Sequence, residues 1–170
     1  TASAIAAGSY YACAIQTGSG AVVCWGMFVF GAPVAPPPSV DGTEGGASAI
    51  AAGYNQACAI QAATNAVVCW GDPDAALHGN WVFPPPPASV DGTQGTATAI
   101  AARFKNVCAI ETETGGVVCW GDHVIEMTPP ASVDGTQGTA TAIAVGAGYA
   151  CAIQSGTNAV VCWGYSWGVL

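Results

Sequence analysis

Four segments of this chain align on one another without gaps. They run from Ala4-Ile5-Ala6-Ala7-Gly8 to Cys24-Trp25-Gly26, from Ala49-Ile50-Ala51-Ala52-Gly53 to Cys69-Trp70-Gly71, from Ala99-Ile100-Ala101-Ala102-Arg103 to Cys119-Trp120-Gly121, and from Ala142-Ile143-Ala144-Val145-Gly146 to Cys162-Trp163-Gly164. Successive copies begin 45, 50 and 43 residues apart, the period of stacked units that bury their apolar faces on one another. A second phrase recurs between them: Pro38-Ser39-Val40-Asp41-Gly42-Thr43, then Ala88-Ser89-Val90-Asp91-Gly92-Thr93, then Ala131-Ser132-Val133-Asp134-Gly135-Thr136. The repeat divides the chain into units at about 1–36, 37–85, 86–128 and 129–170, together one repeat domain.

Within a unit, Tyr11 to Gln16 and Ala21 to Gly26 are short runs rich in Val, Ile and aromatic residues, the chemistry of strands. The loop between them ends in Gly20, Asn65, Gly115 or Asn158, residues that tolerate the left-handed backbone. Such a loop pairs Gln16 with Ala21, and counting outward sets Cys13 opposite Cys24. The same count opposes Cys58 to Cys69, Cys108 to Cys119 and Cys151 to Cys162. Opposed residues approach within roughly 4.5 to 5.5 Å, inside disulfide range. Four intra-unit disulfides are therefore predicted, and with them an oxidising, extracellular location. Ile15 and Val22 lie on the cysteine face of this hairpin, and Ala14, Val23 and Trp25 on the other. Both faces are apolar, as in a sheet covered on both sides. The Ala-rich first strand suits the crowded inner edge of a radial arrangement.

The combined pattern resembles the repeat of the regulator of chromosome condensation family. The residues that carry it are Ile5-Ala6-Ala7-Gly8, then Cys13-Ala14-Ile15, a turn, and Val22-Val23-Cys24-Trp25-Gly26. The version with paired cysteines is similar to repeats of secreted bacterial proteins. The resemblance spans essentially the whole chain and implies an all-β fold of four-stranded propeller blades. It does not imply one activity, because members include a nucleotide-exchange factor for a small GTPase and a protein inhibitor of β-lactamase. The family's usual propeller has seven blades, whereas four units stand here. They could form a four-bladed ring or an open arc. The His that often precedes the Cys-Ala-Ile strand is replaced by Tyr11, Gln56, Asn106 and Tyr149, and Arg103 replaces a Gly.

Charge narrows the partners. Two cations stand against ten acids, a net charge of −8, which argues against nucleic acid and anionic membranes. The apolar stretch Ala21 to Ala35 is broken by Gly26, Gly31 and Pro33, so membrane insertion is not expected. Asp72, Asp74 and His78, or Asp122, His123 and Glu126, supply oxygen and imidazole atoms without the spacing of a metal motif. No nucleophile, base and carboxylate constellation or phosphate loop is present, so neither catalysis nor a metal or other cofactor is expected.

The chain begins inside the inner-strand phrase and ends in Tyr165-Ser166-Trp167-Gly168-Val169-Leu170. Unfinished units at each end offer a contact that repeats without closing. The leading expectation is a non-enzymatic extracellular structural protein that assembles with copies of itself, head to tail, into a filament or surface layer. Candidate self-association residues are the apolar Met27, Phe28 and Phe30, the only two cations Arg103 and Lys105, and the terminal Trp167, Val169 and Leu170. The cation pair could dock on an acidic region such as Glu111-Thr112-Glu113 of a neighbouring copy. The alternative is a monomeric secreted module that recognises a protein or glycan through its unequal inter-repeat loops.

Overall fold

The computed structural model of the chain describes residues 1–27, 34–71, 83–122 and 127–165. These form twelve strands and one helical turn. The strands are β1 (Ala2–Ala7), β2 (Tyr11–Gln16), β3 (Val22–Gly26), β4 (Ala47–Ala52), β5 (Gln56–Gln61), β6 (Val67–Gly71), β7 (Ala97–Arg103), β8 (Asn106–Glu111), β9 (Val117–Gly121), β10 (Ala140–Val145), β11 (Tyr149–Gln154) and β12 (Val160–Gly164). The helical turn is α1 (Pro38–Asp41). They make four separate antiparallel sheets in the orders β1-β2-β3, β4-β5-β6, β7-β8-β9 and β10-β11-β12. The resemblance implied a fourth strand in each sheet. The segments that follow β3, β6 and β9 lie largely outside the described residues, and so do residues 166–170 after β12.

Local chemistry fixes each hairpin. Gly20, Asn65, Gly115 and Asn158 adopt φ of 71°, 58°, 67° and 57°. In the first three, this left-handed backbone aims a carbonyl at the next sheet. Gly20 O, Asn65 O and Gly115 O accept from the amides of Ala47, Ala97 and Ala140 at 2.8, 2.9 and 2.9 Å. Cys13 pairs with Cys24, Cys58 with Cys69, Cys108 with Cys119 and Cys151 with Cys162 in the strand register. All eight cysteines are joined in these four disulfides, with Cα atoms 4.0 to 4.1 Å apart. The first strand of each sheet carries an irregularity near its start. There the hydroxyls of Ser3, Ser48, Thr98 and Thr141 reach the carbonyls of Ile15, Ile60, Ile110 and Ile153.

Packing follows one rule. The cysteine face of each sheet covers the alanine-valine-tryptophan face of the next. Tyr11, Cys13, Ile15 and Val22 of the first sheet pack with Ala57, Ala59, Ile50, Val68 and Trp70 of the second. Cys58, Ile60 and Val67 meet Val107, Ala109, Val118 and Trp120. Cys108, Ile110 and Val117 meet Ala150, Ala152, Val161 and Trp163. Each large apolar side chain so covered contributes about 1.5–3 kcal/mol. The first strands run beside one another, β1 by β4, β4 by β7 and β7 by β10, so the small residues form the inner edge.

The linking phrase locks each joint. Val40, Val90 and Val133 are fully buried. The carbonyls of Val90 and Val133 accept from the amides of Val67 and Val117 at 2.8 and 2.9 Å. The first copy of the phrase forms the single helical turn α1, closed by left-handed Gly42. Asp41, Asp91 and Asp134 each accept from the hydroxyl and then the amide of Thr43, Thr93 or Thr136, which holds these exposed carboxyls below the usual carboxylate range. Of the two closures left open by the sequence, the structure shows the open one. Among the described residues, the first and fourth sheets do not pack on each other.

Candidate binding surfaces

Among the described residues, the open arrangement leaves two sheet faces without a neighbouring sheet. On the first sheet, Ile5 is 69% exposed, Trp25 51% and Val23 43%, although their counterparts Ile50, Trp70 and Val68 are packed. On the fourth sheet, Val160 is 69% exposed, whereas Val22, Val67 and Val117 are buried. Ile153 and Tyr149 are exposed beside it. The first face is therefore the kind that the fourth face covers inside the molecule.

A hydrogen-bond series crosses the three internal joints. Tyr11 Oη donates to the Gln56 carbonyl. Gln56 Nε2 donates to the Phe104 carbonyl at 2.6 Å, and Asn106 Nδ2 to the Ala147 carbonyl at 3.1 Å. These are the positions where the family often carries His. The fourth member, Tyr149, lies across Gly146 as Tyr11 lies across Gly8. Its hydroxyl has no hydrogen-bond partner among the described residues.

Burial drives the Tyr11 phenol well above its ordinary pKa, and the Gly53 backbone pulls it back only in part. The neutral phenol is what donates across the joint. A raised folded-state pKa means this contribution is complete below about pH 10 and is lost as the pH rises beyond it. Urea unfolding at rising alkaline pH is expected to show a fall in stability that is shallower in Tyr11→Phe. Equal slopes would refute the assignment.

The third inner turn departs from the repeat. Gly8, Gly53 and Gly146 have no room for a side chain, because a Cβ would meet Tyr11, Gln56 or Tyr149. At Arg103 the strand β7 instead runs one residue further and pairs Arg103 with Asn106. The turn is closed by Phe104 at φ 52°, a conformation that costs a non-glycine residue on the order of 1–2 kcal/mol. Phe104 packs on Tyr54 with ring centroids 5.3 Å apart. Lys105 pairs with Asp122 at 3.4 Å. Ala7, Gly8, Ser9, Ala52, Gly53, Arg103, Phe104 and Ala147 line a pocket of about 290 Å³ where all four inner turns converge.

The other sequence candidates are scattered. Met27 is exposed at the end of β3, and Arg103 and Lys105 share the third inner turn. Phe28, Phe30, Trp167, Val169 and Leu170 lie outside the described residues, as do Asp72, Asp74, His78, His123 and Glu126. Among the described residues, no cluster of His, Cys, Asp or Glu is arranged to hold a metal ion, and no helix is long and apolar enough to cross a membrane. Ile5, Val23, Trp25, Tyr149 and Val160 were missed as candidates. They read as ordinary core positions in the repeat, and only their place in the first or last copy exposes them.

No family model matches the chain, and no curated protein matches it. Its architecture does occur in solved structures. The CRINKLY WD40 ectodomain of the Arabidopsis thaliana receptor kinase ACR4 aligns with a TM-score of 0.66 at 24% identity, over 94% of this chain and 49% of that one. Human WBSCR16 aligns with a TM-score of 0.68 at 15% identity, over 96% and 48%. Prp20p of Saccharomyces cerevisiae, which is yeast RCC1, aligns with a TM-score of 0.61 at 17% identity, over 95% and 44%. The four sheets are β-propeller blades. The resemblance of the repeat to the regulator of chromosome condensation family is thus matched in the fold of the blades. The chain spans less than half the length of each of these three propeller structures.

Proposed function

We propose that these blades form a non-enzymatic protein-binding module whose first partner is another copy of itself, joined end to end outside the reducing cytosol. One observation carries this reading. The exposed Ile5-Val23-Trp25 face and the exposed Ile153-Val160 face are the two halves of a joint that the molecule already makes three times. A second copy placed by the same rule continues that joint. Tyr149 then meets the inner turn of the next first blade, and the Asn158 carbonyl meets its β1, as Asn65 meets Ala97. Such joining repeats without closing and produces a filament or layer. The four disulfides favour an oxidising, extracellular setting. Protein binding also suits the fold, since Prp20p has binding properties toward Gsp1p and histones.

The magnitude suits assembly that depends on concentration. Covering Ile5, Val23, Trp25, Ile153 and Val160 contributes on the order of 10 kcal/mol before costs. Association itself costs on the order of 4–15 kcal/mol. Light scattering and electron microscopy across a concentration series are expected to show end-to-end oligomers, lost in both Trp25→Glu and Val160→Glu. Mixing the two variants should restore dimers, because each keeps one intact face. A monodisperse monomer at high concentration would overturn self-assembly and leave the monomeric binder of a protein or glycan.

A further inference from the structure

The pocket at the converging inner turns is where the repeat is broken, and the break introduces a charge. Three copies place glycine at this turn, and the third places Arg103. Arg103 is exposed on the pocket wall and makes no ion pair or side-chain hydrogen bond with a described residue. The only other cation, Lys105, is engaged with Asp122. In a chain of net charge −8, a guanidinium with no ion-pair partner among the described residues is the local exception.

The walls around it are held in place. The carbonyl of Phe104 accepts from Gln56 Nε2 at 2.6 Å and from the Tyr54 amide at 2.7 Å. The carbonyl of Ala147 accepts from Asn106 at 3.1 Å. The pocket is therefore framed by backbone that the blade joints already fix, and Phe104 is held at positive φ within it. Strain retained at one copy of an otherwise regular repeat calls for a role at that copy.

We infer that this pocket is a receptor for a single carboxylate, the acidic side chain of an extended peptide from a partner protein, with Arg103 as its anchor and Phe104, backed by Tyr54, as its apolar wall. The planar guanidinium matches a carboxylate with two parallel hydrogen bonds. A single cation in the pocket suits a monoanion, whereas a phosphate dianion would add uncompensated charge to an acidic protein. A volume of about 290 Å³ admits one side chain and its flanking backbone. Its anchor, Arg103 on the third blade, is separate from the two end faces, although the pocket wall also takes in the first inner turn at Ala7, Gly8 and Ser9.

The test uses a fluorescent Gly-Glu-Gly-Glu-Gly peptide, amidated at its C-terminus, against the full chain at concentrations where it is monomeric. Binding anisotropy is expected for this peptide and not for its Gln counterpart. Arg103→Gly, which restores the residue of the other three copies, is expected to weaken binding roughly tenfold or more, and Arg103→Lys by less. Lys105→Gln removes the same charge from outside the pocket and is expected to change binding less than about twofold. Trp25→Glu should bind the peptide normally, which separates failure of this inference from failure of end-to-end assembly. No binding, equal losses in Arg103→Gly and Lys105→Gln, or displacement by acetate as readily as by unlabelled peptide would overturn the proposal.

Discussion

Complete reduction is expected to unfold this protein at temperatures where the oxidised form is fully native. Each disulfide closes a short hairpin loop, with its cysteines 11 positions apart in sequence. In the chain-entropy model a loop of this size contributes about 3 kcal/mol, so four contribute about 12 kcal/mol. Net stabilities of domains are typically about 5–15 kcal/mol, so this contribution is comparable with the whole. The strands offset little of this, because each is only five to seven residues long and the first strand of every sheet is alanine-rich. Circular dichroism melts with and without reductant measure the effect, and alkylation of unreduced protein followed by intact mass should find no free thiol. A melting temperature unchanged by verified reduction would contradict this account. The double variant Cys58→Ala with Cys69→Ala should lose about one quarter of the total.

The second large effect is expected at the glycine that follows each blade tryptophan. A Cβ on Gly71 would lie 2.6 Å from the Asn55 carbonyl oxygen, and on Gly26, Gly121 or Gly164 it would fall on the carbonyl of Tyr10, Lys105 or Gly148. These obstacles are backbone atoms of the paired strand's entry turn, so they cannot move away alone. Gly121 is also at φ 136°, where a side chain adds strain. Gly121→Ala is expected to cost about 3 kcal/mol or more, by strain together with displacement of β8 from β9. Gly18, at φ 93° with open space around it, isolates the conformational part, and Gly18→Ala should cost about 1–2 kcal/mol. Chemical denaturation of the two variants separates steric clash from backbone strain. Equal costs would show that the close approach contributes nothing.

Much of this architecture could be read from residues. The left-handed loop residue fixed the hairpin register, the register fixed the cysteine pairs, and the apolar residues on both faces required blades to stack. The three crossings by Tyr11, Gln56 and Asn106 could not be read. They were visible only as departures from a family His, and different side chains reach different carbonyls in each joint. The exposed faces were also hidden, because Trp25 has the same sequence surroundings as buried Trp120. Repeat position, not residue type, separates them. Arg103 was legible as a charge but not as part of a pocket, since the wall comes from four turns far apart in sequence.

The same short cross-links have a mechanical consequence. A pulling force on the chain enters each hairpin at one cysteine and leaves at its partner, bypassing the loop between them. Each loop withholds on the order of 40 Å of contour length from extension. Stretching can lengthen only the first strand of each blade and the linking segments, including those with the buried Val40, Val90 and Val133. In a tensioned array of such molecules, yield would begin at the joints between blades, while the hairpins stay folded and ready to dock again when the load is removed.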